Sequence, residues 1–167
     1  MKKQEEGMTS RAPDLARDLA SEDPVTRERA CRALILLGSQ AVPALVELLA
    51  SPHDHARREA ARALSKIHDP SSAAALVLAL EDELPGVRWL AGEGLIAMGR
   101  NGLAPLFQGL IRQSNSVRLR QGAHHILRAL AGGGDTGRAI GPVMEALEGP
   151  EPISALPIAA FNALKEL

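Results

Sequence analysis

Apolar residues recur in this chain on two superposed rhythms, a helical one of three to four residues and a longer one near thirty. Counting from Arg27, the residues three, six and seven positions on are Ala30, Ala33 and Leu34. The same offsets give Ala60, Ala63 and Leu64 after Arg57, and Ala91, Gly94 and Leu95 after Arg88. After Arg120 they give Ala123, Ile126 and Leu127, and after Pro157 they give Ala160, Ala163 and Leu164. The anchors are 30, 31, 32 and 37 residues apart. A second register runs between them. Leu15, Leu45, Leu76, Leu106 and Val143 form one apolar column, and Leu19, Leu49, Leu80, Leu110 and Leu147 form another four residues later. A third column, Ala16, Val46, Val77, Phe107 and Met144, widens the stripe. Spacings of three and four mark one face of a helix, and a fixed longer period marks a repeat architecture.

Each period therefore reads as two helices: an A helix carrying the Arg-x-x-Ala-x-x-Ala-Leu pattern and a B helix carrying the leucine columns. The pattern predicts helices over about 11–20, 24–37, 40–50, 54–67, 71–82, 85–98, 101–112, 116–130, 137–148 and 153–166. Pro24, Pro52 and Pro85 stand at or near the start of A helices, where the missing N–H costs little. Gly38 and Gly99 follow A helices as C-caps. The Asp69-Pro70-Ser71-Ser72 turn starts a B helix, and the Ala131–Asp135 glycine-rich loop accounts for the longest period. One hairpin cannot bury its own stripe, but stacked hairpins can. The expected fold is all-α, an α-solenoid of about five two-helix repeats, roughly 50 Å long at roughly 10 Å per packed helix. Residues 1–10 are polar and read as a disordered tail, with Met8 an alternative start, and 11–167 read as a single solenoid domain.

The run Pro24–Leu34 followed by Ala41–Leu49 resembles a HEAT repeat. It is similar to the short bacterial type, of about thirty residues, that also occurs in phycobilisome lyases. The resemblance extends over nearly the whole chain from residue 11. It implies a scaffold for protein complexes, although some members of the family are enzymes. It also implies that the B-helix side is the concave binding face. On that face Arg17, Glu47, Leu78, Gln108 and Glu145 share one column, with Leu78 an apolar spot among polar neighbours.

Arg27, Arg57, Arg88 and Arg120 make a ladder, one per repeat. The guanidinium fork suits bonds to backbone carbonyls or to an acid in the adjacent unit, with Asp23, Asp54 and Glu83 nearby. The alternative is an anion-binding stripe. The last unit has Pro157 where the arginine would stand, which favours the structural role.

Charge adds an asymmetry. The net charge is -1. Yet A segments 24–37, 54–67, 85–98 and 116–130 carry eleven Lys and Arg against four Asp and Glu, while the B segments carry four against seven. A basic A face and a mildly acidic B face are expected, with nucleic acid the extreme partner for the former. Against that partner stands the scarcity of stacking groups: Trp89, Phe107 and Phe161 are the aromatics, and there is no Tyr.

Catalytic or cofactor chemistry finds little support. Cys31 is the one cysteine, so a disulfide framework or a cysteine-based zinc site is excluded. His53 and His55 are two apart, and His68 ends a helix. His124 and His125 point about 100° apart on a helix and do not chelate together. The His-Glu dipeptides of the HEAT-like deoxyhypusine hydroxylase are absent. HEAT-like DNA glycosylases rely on aromatic and acidic residues around a cleft, which this composition does not offer. The 132–134 glycines lack a following Lys-Ser/Thr, so they are no phosphate loop. No cofactor or metal is expected. His124 and His125 are expected to be structural, one of them buried against a carbonyl of the glycine-rich loop, with Gly122 under a close packing contact.

The final helix has Ile153, Leu156, Ala160, Leu164 and Leu167 on one face, with Ile158 and Phe161 elsewhere and no following helix to cover them. An uncapped array end predicts docking against another chain, a second copy included. With no apolar export signal and no run of 18 apolar residues, a cytoplasmic protein without a membrane span is expected. The functional expectation is a non-enzymatic protein–protein interaction scaffold or adaptor. Its candidate contacts are Glu47, Leu78, Gln108, Glu145, Ile158 and Phe161. The alternatives are a phycobilin lyase-like or other enzyme-accessory subunit, and nucleic-acid binding through the A face.

Overall fold

A computed structural model describes residues 11–132 and 136–167. The expected disordered tail, 1–10, and part of the glycine-rich loop lie outside the described residues. The helices are α1 (Arg11–Asp18), α2 (Pro24–Leu37), α3 (Val42–Leu48), α4 (Asp54–Ile67), α5 (Ala73–Ala79), α6 (Pro85–Ala97), α7 (Arg100–Arg112), α8 (Val117–Leu130), α9 (Gly137–Glu148) and α10 (Pro152–Lys165). Short 3₁₀ turns, Gly38–Ala41 and Pro70–Ser72, lead into α3 and α5. They shorten the two B helices expected over 40–50 and 71–82. No strand occurs among the described residues.

The helix ends follow from local chemistry. The Asp23 carboxylate accepts the backbone N–H groups of Val25 and Thr26 at the start of α2. Ser116 accepts from Leu119 at the start of α8. Such caps satisfy N–H groups that have no partner within the helix. Gly38 and Gly99 have φ of 59° and 57°, a region that a side chain disfavours. His68 ends α4 in the left-handed helical region, at φ 56° and ψ 28°, where no glycine signalled the stop.

The helices form an α-solenoid in two layers. α2, α4, α6 and α8 stack in sequence in the A layer, while α1, α3, α5 and α7 line the other side. One continuous core runs from Ala12 to Ala163. The Leu19, Leu45, Leu76, Leu80, Leu106 and Leu110 side chains are fully buried in it, as are Ala30, Ala60, Ala91 and Ala123 of the A helices. Small residues set the closeness of the layers. A Cβ on Gly94 would stand 2.9 Å from a Leu76 methyl and 3.3 Å from the Ser65 Cα.

The helical stretch Pro24–Leu48 is, by length and composition, apolar enough to cross a bilayer, with a mean hydropathy of 1.4 over its most apolar window. The expectation of no membrane span rested on the absence of an uninterrupted run of 18 apolar residues, and this stretch contains none. In the fold it is two helices broken at Gly38, with Leu34 and Leu45 in the shared core.

The last hairpin departs from the regular stack. α10, expected in the A layer beyond α8, lies along α7 in the B layer, and α9 packs against α8 and α10. Two contacts fix the direction. Ser114, past the end of α7, donates to the Ile153 carbonyl at the start of α10 at 2.8 Å. Arg100, at the start of α7, donates to the carbonyl of Leu167. α10 is therefore antiparallel to α7. It buries Leu156, Ala160 and Ala163, while Ile153, which the periodicity put on the inner face, is exposed.

Candidate functional site

The B side carries a run of shallow grooves between successive helices. Pro13 and Arg17 of α1 face Ala44 and Glu47 of α3 across the first. Val46 and Leu49, with Ala50, face Ala75 and Leu78 of α5 across the second. Ala74 and Leu78 face Pro105, Gln108 and Arg112 of α7 across the third. Ala50 borders the first two grooves and Leu78 the last two, so the three make one track. At its middle α5, Ala-Ala-Ala-Leu-Val-Leu-Ala, has no charge at all. Leu78 crests the track with 66% of its surface exposed.

The track thus brings together Glu47, Leu78 and Gln108. It does not include Glu145. That residue lies with Pro142, Glu151 and Ile158 in a separate groove between α9 and α10, because α9 has left the B layer. Phe161 is exposed on α10, with the Lys165 ammonium 4.4 Å from its ring centre.

The exchange of α9 for α10 also makes the B face less acidic than expected. α1, α3, α5, α7 and α10 hold Arg11, Arg17, Arg100, Arg112 and Lys165 against Asp14, Asp18 and Glu47. Glu81 and Asp82, just past α5, are half-buried and bonded to other elements, and Asp82 also lines the second groove. Asp82 takes the Arg57 Nε at 2.8 Å, and Glu81 accepts the Ser116 hydroxyl.

The four ladder arginines share one geometry. In each, Nη1 reaches the carbonyl six residues earlier: Ser21 at 2.7 Å from Arg27, Ser51 at 3.0 Å from Arg57, Asp82 at 2.7 Å from Arg88 and Ser114 at 2.6 Å from Arg120. These carbonyls lie in the loops that follow B helices, where acceptors have no partner within the helix. Arg57 adds Asp54, Asp82 and Glu83 at 3.1, 2.8 and 3.2 Å. Asp23 caps α2 instead of pairing with the ladder. On the outer A surface Arg62 bridges Glu28 and Glu59, and Arg32 joins Glu28 at 2.8 Å. These bonds hold the Glu28 carboxyl below the usual carboxylate range, the one from Arg62 most strongly.

His124 and His125 find carboxylates among the described residues, and most of the glycine-rich loop expected to supply a carbonyl lies outside them. His124 meets Glu148 of α9 at 3.1 Å, and His125 meets Glu93 of α6 at 3.3 Å with its ring centre 4.9 Å from that of Trp89. Nothing in the local sequence signals these pairs, since the partners are 24 and 32 residues away. Gly122 lies beneath Leu80, the close approach expected there. His55 reaches the Ala20 carbonyl at 3.0 Å. No group of three or more His, Cys, Asp or Glu able to hold a metal occurs among the described residues. Burial pushes the Cys31 thiol up, which disfavours its nucleophilic thiolate.

A family model for HEAT repeats matches residues 12–96. Among solved structures the chain is similar to an engineered protein, at 20% identity and a TM-score of 0.43, over 93% of this chain and 78% of that one. A search of curated proteins gave no match. Residues 12–96 hold α1 to α6, the part in which arginine ladder, leucine columns and two-layer stacking all coincide, and this chain belongs to the HEAT-repeat family.

Proposed function

We propose that the chain is a non-enzymatic interaction module that holds a protein partner along the track from Arg17 to Arg112. HEAT repeats generally mediate protein–protein interaction. The observation that carries the reading to this face is Leu78. A large apolar side chain stands 66% exposed on α5, the uncharged helix at the middle of the track. Preorganised surfaces of this kind lose little entropy on binding. Arg17 and Glu47 at one end and Arg112 at the other border the apolar middle with charge that bears on the choice of partner.

The experiment is affinity capture from native lysate, followed by quantitative binding of the captured protein. Leu78→Asp and Glu47→Lys should each weaken binding at least about tenfold, an effect near 1.4 kcal/mol. Arg29→Glu on the A surface should leave it unchanged. Wild-type affinity in Leu78→Asp would remove this face from consideration. The nucleic-acid alternative is the weaker one, since Arg27, Arg57, Arg88 and Arg120 turn inward to carbonyls. Salt-sensitive retention on DNA would favour it instead.

A further inference from the structure

We propose that the outer face of α10 is a self-association surface on which a second copy of this chain docks antiparallel about a two-fold axis at Ile158. This goes beyond the partner track, which lies on other helices. α10 buries Leu156, Ala160 and Ala163 on its inner side. Its opposite side carries Glu151, Ser154, Ile158, Phe161 and Lys165, all exposed. Their spacing of three, four, three and four residues is that of a helix–helix seam. The seam has an apolar centre, with Ile158 at 67% and Phe161 at 54% exposure, and a single charge of opposite sign at each end.

The positions are self-complementary. Ile158 is seven residues from both Glu151 and Lys165. An antiparallel mate centred there stacks Ile158 on Ile158, sets each Phe161 against the small Ala155 of the other copy and pairs each Glu151 with the mate's Lys165. A parallel mate would instead align like charges. Glu145 borders the same groove as Glu151 and Ile158 and adds to the acidic end. One helix of 14 residues is about 21 Å long. It buries less than a standard interface, so dissociation in the micromolar range or weaker is expected.

The test is sedimentation equilibrium of the whole chain from low micromolar to several hundred micromolar. A concentration-dependent dimer is expected, and Ile158→Asp should raise its dissociation constant at least about tenfold with the circular dichroism unchanged. Glu151→Lys and Lys165→Glu should each weaken self-association, because each leaves like charges facing. Mixing these two variants should restore dimers, since one copy then carries a cation at both ends of the seam and the other an anion at both ends. A monomer at every concentration overturns the proposal. So does a dimer indifferent to Ile158→Asp, or a mixture no more associated than its separate components.

Discussion

Arg57 shows what a ladder arginine does when it also finds an acid. Its residue exposure is 8%, and the Asp82 side chain that it bonds is 9% exposed. Removing the guanidinium would leave that carboxylate without its cation and the Ser51 carbonyl without its donor. Arg57→Met should therefore lower unfolding free energy by about 3 kcal/mol, while Arg57→Lys, which keeps charge but loses the fork, should cost less. Urea denaturation decides both. Acid sensitivity belongs to this scale as well. The Thr26 hydroxyl holds Asp23 below its usual range, Ser39 and then Ser71 do the same for Asp69, and Arg62 does so for Glu28. The unfolded chain takes up protons at ordinary carboxylate values and the folded one resists until lower pH. The unfolded state then binds more protons, so stability is lost as pH falls. The urea midpoint should be flat above about pH 5 and decline below about pH 4.5. Glu28→Gln should flatten that decline, and an unchanged slope would clear Glu28 of the role.

At the scale of the element, glycines of one chemical type have opposite meanings. A Cβ on Gly102, in the first turn of α7, would stand 2.8 Å from the Leu95 carbonyl oxygen, a backbone atom that cannot swing aside. Gly141, within α9, has nothing within 4 Å of such a Cβ. Alanine is favoured over glycine in helices by about 1 kcal/mol. Gly141→Ala should accordingly raise stability by up to about that amount, whereas Gly102→Ala should lower it. Thermal denaturation of the two variants gives both signs, and a stabilised Gly102→Ala would show that the turn before α7 yields. The 3₁₀ turns ahead of α3 and α5 belong to the same scale. Each spends its first residues on a tight turn, Gly38–Ala41 or Pro70–Ser72, so the helices begin later than the apolar columns suggest.

For the molecule as a whole, the placement of α10 on α7 is the decisive packing event. Leu156 is fully buried there, and Leu156→Ala should cost about 2–4 kcal/mol. A regular stack would set α10 beside α8. Cysteines introduced at Ser114 and Ile153 discriminate the two arrangements. The Ser114 hydroxyl is 2.8 Å from the Ile153 carbonyl, so a short thiol cross-linker should join the pair within one chain. Cys31 is buried and does not compete. Failure to cross-link in the folded protein would return α10 to the A layer and take the seam on its outer face with it.

The residue pattern by itself determined the layered helical architecture. Arg27, Ala30 and Leu34 recur with their counterparts because every interior repeat meets the same neighbours, so identical packing demands identical spacing. It also put Leu156, Ala160 and Ala163 of α10 in columns that are buried, while setting the exposed Ile153 beside them. What covers that face was left to the tertiary structure. Beyond α8 the choice between α9 and α10 is a comparison of two apolar stripes for one surface, and neither stripe names its mate. The same holds for charge. Glu145 shares a sequence column with Glu47 and Leu78, yet it stands apart from their track once α9 leaves the layer. The carboxylates of Glu93 and Glu148 reach His125 and His124 only through the packing of α8 against α6 and α9. Periodicity records what each helix must hide, and the partner is settled by the whole fold.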